Sequence, residues 1–236
     1  MLNGLRGRLN WWRYKLSVLN SLGGQFPRSC PICGYEGLFS SVGVPPRADG
    51  KCPNCGSYER HRLFHLFQDR HQLIKPGEAV LHFAPEASVR RSIEAVAGKY
   101  VRADINPDAA DIVLNIENID LPDAEFDVVV ASHVLEHVDD GAALSEIKRI
   151  LKPGGRLIAM IPIVEGWNQT YENADVTTDE GRTLHFGQDD HIRYYGADFR
   201  DRVKAAGFKL TEYTAQEPDV SNHGLLRGEK VFVAAA

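Results

Sequence analysis

Residues 79–104 read AVLHFAPEASVRRSIEAVAGKYVRAD. Ala79-Val80-Leu81-His82-Phe83 is a short apolar strand, and Ala84-Pro85-Glu86 is a tight turn. Val89, Ile93, Val96 and Ala97 then recur at helical spacing. Gly98 ends the helix, Tyr100-Val101-Arg102-Ala103 reads as a second strand, and Asp104 closes it. Strand, turn, helix, strand and acid form the first half of a doubly wound nucleotide site, with the ligand at the carboxyl edge of the strands. Asp104 follows Ala84 by 20 residues, close to the offset of about 20 at which such an acid reaches ribose hydroxyls. The turn lacks the usual G-x-G.

Downstream the alternation continues. Residues 112–116 form a third strand and residues 126–131 a fourth. The fourth is almost wholly apolar, as in a parallel strand buried on both faces. Ser132-His133-Val134-Leu135-Glu136-His137 follows at its carboxyl end. Asp139 or Asp140 caps a helix over residues 141–151, and Lys152-Pro153-Gly154-Gly155 turns the chain into a fifth strand, 156–161. A helix over 197–206 and closing strands over 208–213 and 230–234 complete the pattern, with Asn222, His223 and Gly224 in the loop between those strands.

Upstream, the four cysteines form Cys30-Pro-Ile-Cys33-Gly34 and Cys52-Pro-Asn-Cys55-Gly56, 18 residues apart. This is the spacing of a zinc ribbon. Each pair sits on a knuckle whose glycine lets backbone N–H groups face the thiolates. Four sulfurs leave a tetrahedral zinc no open position, so Zn2+ there is structural. Residues 58–76 form a connector helix with Leu63, Leu66 and Phe67 as its apolar face and Arg60, His61, Arg62 and His65 on a solvated one. Residues 1–25 contain a basic amphipathic helix with Leu5, Leu9, Trp12, Leu16 and Leu19 on one stripe. Over residues 1–20 it either lies on an anionic membrane surface or packs on the protein or another subunit.

Of 236 residues, 43% are hydrophobic and 25% charged, an ordinary soluble composition. No apolar run nears the roughly 18 residues of a membrane span and no signal core opens the chain, which predicts a cytoplasmic protein, with peripheral membrane contact through residues 1–20 as the alternative. The net charge is −5: residues 1–35 carry five basic groups and no acid, and the remainder 22 basic against 32 acidic. That balance argues against nucleic acid as the partner of the large domain.

The segments FDVVVASHVLEHVDD and ALSEIKRILKPGGRLIAMIP resemble the class I S-adenosylmethionine-dependent methyltransferases, in the group often called methyltransferase type 11. The resemblance covers residues 77–236. It implies an α/β, Rossmann-like, doubly wound sheet of seven strands, the last antiparallel, behind the small N-terminal four-cysteine zinc ribbon of residues 26–57. It also implies S-adenosyl-L-methionine as cofactor. Phe83, Ala84, Pro85 and Glu86 would lie under its methionine part and Asp104 would take the ribose hydroxyls. Ile105 would pack on adenine, Asn115 would meet the adenine amino group beside the Ile116 backbone, and Ala131, Ser132 and His133 would line the methyl end. This chain departs from the family at the turn. His82 stands where the family has an acid, and Ala84 and Glu86 stand where it has glycines. Glu86, together with His82, is then expected to replace the missing acid toward the cofactor's ammonium.

Residues 162–195 are polar, aromatic and too long for a simple connection, and are expected to form a substrate lid. Trp167, Tyr171, His185, Gln188, Asp190, Arg193 and Tyr194 are its candidate substrate residues. His133, His185 and His191 are the candidate bases, since imidazole suits proton removal near neutral pH. His185, Asp189, Asp190 and His191 also have the ligand types of a divalent-metal site, though a loop cluster fixes no geometry. The expected function is methyl transfer, at oxygen, to a small-molecule or glycan-like acceptor. An RNA methyltransferase gripping RNA with its ribbon, and a non-catalytic binding protein on a cofactor fold, stay open on sequence.

Overall fold

The computed structural model describes residues 11–12, 26–43 and 46–236. The helix expected over residues 1–25 lies outside them, except that Trp11 and Trp12 are helical and exposed. In chain order the elements are β1 (Arg28–Ser29), β2 (Glu36–Gly37), β3 (Ser40–Val42), β4 (Arg47–Lys51), α1 (Glu59–His71), β5 (Ala79–Phe83), α2 (Ala87–Glu94), β6 (Lys99–Asp104), β7 (Ile112–Val113) and β8 (Phe126–Ser132). A 3-10 turn (Leu135–His137), α3 (Asp140–Ile150), β9 (Leu151–Met160), β10 (Tyr171–Glu172), α4 (Asp179–Phe186), β11 (Arg193–Tyr194), α5 (Phe199–Ala205), β12 (Lys209–Thr214), α6 (Asp219–His223) and β13 (Lys230–Ala235) follow. None of the described helices is long and apolar enough to cross a membrane.

The chain divides into two compact units, and not where its sequence suggests. One is the described part of the chain through Leu66 together with Ala215–Glu229, and the other is Phe67–Thr214 with Lys230–Ala236. The boundary therefore falls inside α1, and the segment between the closing strands belongs with the ribbon.

In the ribbon unit β1 pairs with β2 and β3 with β4, both antiparallel. The core cluster of the two hairpins is small, with Cys30, Phe39 and Cys52 buried in it. Arg62, expected on a solvated face, is instead fully buried. Its guanidinium donates to the carbonyls of Ser57 (2.6 Å), His223 (2.7 Å), Gly224 (2.6 Å) and Asp49 (3.1 Å) and stacks over Phe39 at 4.7 Å. A rigid fork of five donors satisfied by backbone oxygens accounts for a buried cation that pairs with no carboxylate among the described residues. It also accounts for α6 joining this unit, because His223 and Gly224 supply two of those oxygens.

In the second unit seven strands run in the order β12-β13-β9-β8-β5-β6-β7. β5 through β9 pair in parallel, and β13 runs antiparallel to both of its neighbours, β12 and β9. This is the expected seven-stranded architecture. β8 is buried along most of its length, as its apolar run requires. Asp139 caps α3 by accepting the Ala142 N–H, and Ala143, Leu144 and Ile147 pack that helix into the core. β9 starts earlier than its apolar run: Leu151 already pairs with Phe126, and pairing resumes at Arg156 opposite Val128. Residues 152–155 loop out between, with Gly154 at φ +79°. β7 is shorter than expected, because Asn115 accepts the Glu117 N–H and turns the chain away. β5 has β6 on one side and β8 on the other, so the strand order reverses at β5, where such sheets bind ligands.

Candidate functional site

At the carboxyl ends of β5, β6 and β8 lies a cleft of about 530 Å³. Its floor is backbone in an unusual state. Ala84 and His133, the first residues past β5 and β8, both take left-handed conformations, at φ +47° and +54°. Each is locked from the sheet, Ala84 N–H by the Ala103 carbonyl (3.0 Å) and His133 N–H by the Met160 carbonyl (2.7 Å). Strain of this kind in non-glycine residues gathers at ligand sites. Asp104 ends β6 on the cleft wall; its Oδ1 accepts the Asn106 N–H at 2.8 Å. Next to it Ile105 is 76% exposed, a large apolar surface open to a ligand. Phe83, Leu114, Asn115 and Ile116 line the same wall.

The other end of the cleft is polar. His133, His137, Arg182 and Asp190 line it. Glu136 is fully buried; its Oε1 accepts from His133 Nδ1 at 3.2 Å. His137 Nδ1 lies 3.3 Å from the Asp190 carbonyl, in hydrogen-bond contact, with Asp190 Oδ2 3.2 Å away. Behind it His191 is buried edge-on to His137, with ring centroids 4.6 Å apart. Burial pushes the His191 pKa down. Ile192 N–H donates to the Glu136 carbonyl, so the segment after α4 is tied to the 3-10 turn. Arg182 Nε, His133 Nε2 and Ser132 Oγ are buried with no hydrogen-bond partner among the described residues.

Residues 79–159 match the model of a family described as a methyltransferase domain. Over 63 residues the chain is 44% identical to the uncharacterized protein YafE of Escherichia coli K12, covering 24% of this chain and 30% of that one. Over 142 residues it is 30% identical to the ubiquinone/menaquinone biosynthesis C-methyltransferase UbiE of Escherichia coli O1:K1 / APEC, covering 49% and 56%. The chain thus spans about half or less of the length of these curated relatives. Among solved structures it is similar in fold to a Burkholderia thailandensis 1,6-didemethyltoxoflavin-N1-methyltransferase holding its substrate and S-adenosylhomocysteine. That likeness has a TM-score of 0.51 and 17% identity, over 74% of this chain and 77% of that one.

Within the sheet unit the residues singled out from sequence do not all meet. Phe83, Ala84, Asp104, Ile105, Asn115, Ile116, His133 and Asp190 line the cleft. Pro85 and Glu86 lie past it at the start of α2, where Glu86 occupies the N-cap position without a side-chain cap bond. His82 alternates to the buried side of β5, with its Nδ1 2.9 Å from the Tyr100 hydroxyl, and does not reach the cleft. Its burial lowers its pKa to about 3, so it is neutral. Arg193 is buried too, donating to Glu172 and to the carbonyls of Leu135 and Val138, so it ties β10 and β11 to the 3-10 turn and does not line the cleft. His185 lies off the cleft in an aromatic cluster, its Nδ1 2.6 Å from the Tyr171 hydroxyl; Trp167 meets Tyr171 and Tyr194 edge to face. Glu136, His137 and Arg182 do not stand out in the sequence as site residues. The first two stand inside the quoted H-V-L-E-H, where spacing alone does not tell which side chains turn inward.

In the ribbon unit the four cysteines are free thiols and converge. The Sγ atoms of Cys30 and Cys55 are 3.6 Å apart and those of Cys33 and Cys52 3.8 Å. Tetrahedral Zn–S bonds of about 2.3 Å put sulfurs roughly 3.8 Å apart. The knuckles match each other: Gly34 N–H donates to the Cys30 carbonyl and Gly56 N–H to that of Cys52. Both glycines are left-handed, at φ +71° and +74°.

Proposed function

We propose that this protein is an S-adenosylmethionine-dependent methyltransferase that methylates a hydroxyl of a small-molecule or glycan-like acceptor. Asp104 carries the reading. It ends β6 at the switch of strand order, and with one oxygen on Asn106 it keeps the other for ribose hydroxyls. Exposed Ile105 would cover the adenine, the Ala84 backbone would pass under the methionine part, and Arg182 would meet the cofactor's carboxylate. When bound, the cofactor supplies a methyl group already activated on a sulfonium. The chain's part is alignment and proton removal. His133, held through Nδ1 by buried Glu136, keeps Nε2 to take the acceptor's hydroxyl proton. Cys30, Cys33, Cys52 and Cys55 would hold one structural zinc.

Calorimetry of the full chain with S-adenosylhomocysteine tests this. Saturable binding is expected, weakened at least about tenfold by Asp104→Ala, since charged hydrogen bonds contribute about 1.5–3 kcal/mol. No binding by the intact protein would remove the reading; unchanged binding by the variant would remove Asp104 from it.

A further inference from the structure

The polar end of the cleft contains a donor set whose atoms proton transfer does not exhaust. Glu136 and His137 come from the 3-10 turn after β8, and His191 from the segment after α4. One potential ligand atom from each lies within 4.8 Å of the others. Each side chain is held by an outer partner through one polar atom, which leaves the second atom uncommitted. Glu136 Oε1 takes His133, and Glu136 Oε2 is buried with no partner among the described residues. His137 turns Nδ1 to Asp190. His191 Nε2 lies 2.9 Å from the Gln188 amide, while Nδ1 is buried and likewise without a described partner. A half-turn of that amide lets Nε2–H donate to its oxygen and frees the Nδ1 lone pair.

An unpartnered carboxylate oxygen on a side chain with no solvent exposure is costly. Imidazoles and a carboxylate each oriented by an outer hydrogen bond are what a metal centre requires. We propose that Glu136, His137 and His191 bind one divalent transition-metal ion. Two imidazoles and one carboxylate suit zinc, iron, cobalt or nickel and not magnesium or calcium. Bonds of about 2.0–2.2 Å would draw the three atoms together through rotation of half-buried His137. Three protein ligands leave a position open, and His137 and Asp190 line the cleft, so that position faces it. Resting on the methyltransferase reading, we assign it to the acceptor's oxygen. The set differs from the cluster legible in sequence: His191 joins the 3-10 turn, while His185 lies off the cleft.

The test is titration of full-length protein, its ribbon loaded with zinc, with Co2+. One further equivalent is expected, with weak d–d absorption and no sulfur-to-cobalt charge transfer. His191→Ala and His137→Ala should each weaken it at least about tenfold. If His191→Ala fails to fold, His137→Ala, at a half-buried site, decides. No further equivalent, only thiolate-type bands, or unchanged affinity in the folded variants would overturn the centre. Binding of S-adenosylhomocysteine by the same wild-type sample separates the claims. Cofactor without cobalt overturns the metal centre and leaves the methyltransferase reading standing. Cobalt without cofactor leaves the centre and overturns its assignment to the acceptor.

Discussion

The two units hold themselves together by different means. The sheet unit buries 24 residues in one cluster around β5, β8 and β9. The core cluster of the hairpins buries Cys30, Phe39 and Cys52, two of them the proposed metal ligands. In the first, apolar area is the main stabilising term and buried polar groups must conform to it. In the second, polar and sulfur hubs stand in for area: Arg62 gathers backbone carbonyls and the cysteines gather on each other. The same kind of perturbation should therefore have opposite reach in the two units.

Zinc removal is the largest test of that contrast. Binding of structural zinc is worth on the order of 10–16 kcal/mol in small zinc domains and is folding energy there. Stripping the metal with a chelator, or Cys52→Ser, should abolish amide-exchange protection in residues 28–58. It should also abolish it in residues 215–229, which are distant in sequence but belong to the same unit. β8 and β9 should keep theirs. Protection that persists in 215–229, or that disappears across β8, would break the division into units.

A smaller test comes from the sheet unit, where burial overrules a titratable group. His82 has a pKa of about 3, because burial opposes its charge more than Glu86 favours it. The unfolded chain binds a proton near pH 6.5. Its contribution is thus complete above pH 6.5 and is lost as pH falls toward 3. The slope is about 1.4 kcal/mol per pH unit. Between pH 6.5 and 5, above the carboxylate range, urea midpoints of the wild type should fall more steeply than those of His82→Asn. Parallel curves would show that the imidazole is not held neutral.

The contrast also explains what could be read in advance. Strand, turn, helix, strand and Asp104 are written in local periodicity, and the ribbon in cysteine spacing, so both were legible. The place of residues 215–229 was not, because Arg62 recognises backbone carbonyls, which have no side-chain signature. Nor was the grouping of Glu136, His137 and His191. H-V-L-E-H names the first two, but a 3-10 turn and the segment after α4, tied to it by the Ile192 N–H, bring in the third. Helix α4 within residues 162–195 has ordinary signals, Thr178 capping Gly181 N–H and Gly187 left-handed at its end. They are overshadowed in sequence by the segment's polarity. His82 and Arg193 misled because burial inverts the role that their chemistry suggests.

The smallest test returns to the turn after β5. Ala84 holds φ +47° with its N–H fixed on the Ala103 carbonyl. Sitting in that region costs an L-residue with a Cβ about 1–2 kcal/mol. Glycine would relieve this strain but lose roughly 0.5–1 kcal/mol through the freedom it gains when unfolded. The difference predicts that Ala84→Gly is neutral to stabilising by up to about 1.5 kcal/mol, a rise in Tm of at most about 3–6 °C for a chain of this size. Ala84→Val must move the other way, because a β-branched side chain tolerates left-handed backbone least. Both should be measured with S-adenosylhomocysteine affinity alongside. A lower Tm for the glycine variant would mean that the methyl group packs usefully and the turn is not strained. Higher stability with affinity unchanged would mean that Ala84 is a tolerated departure from glycine, and that the cleft relies on Asp104 and the polar end for its ligand.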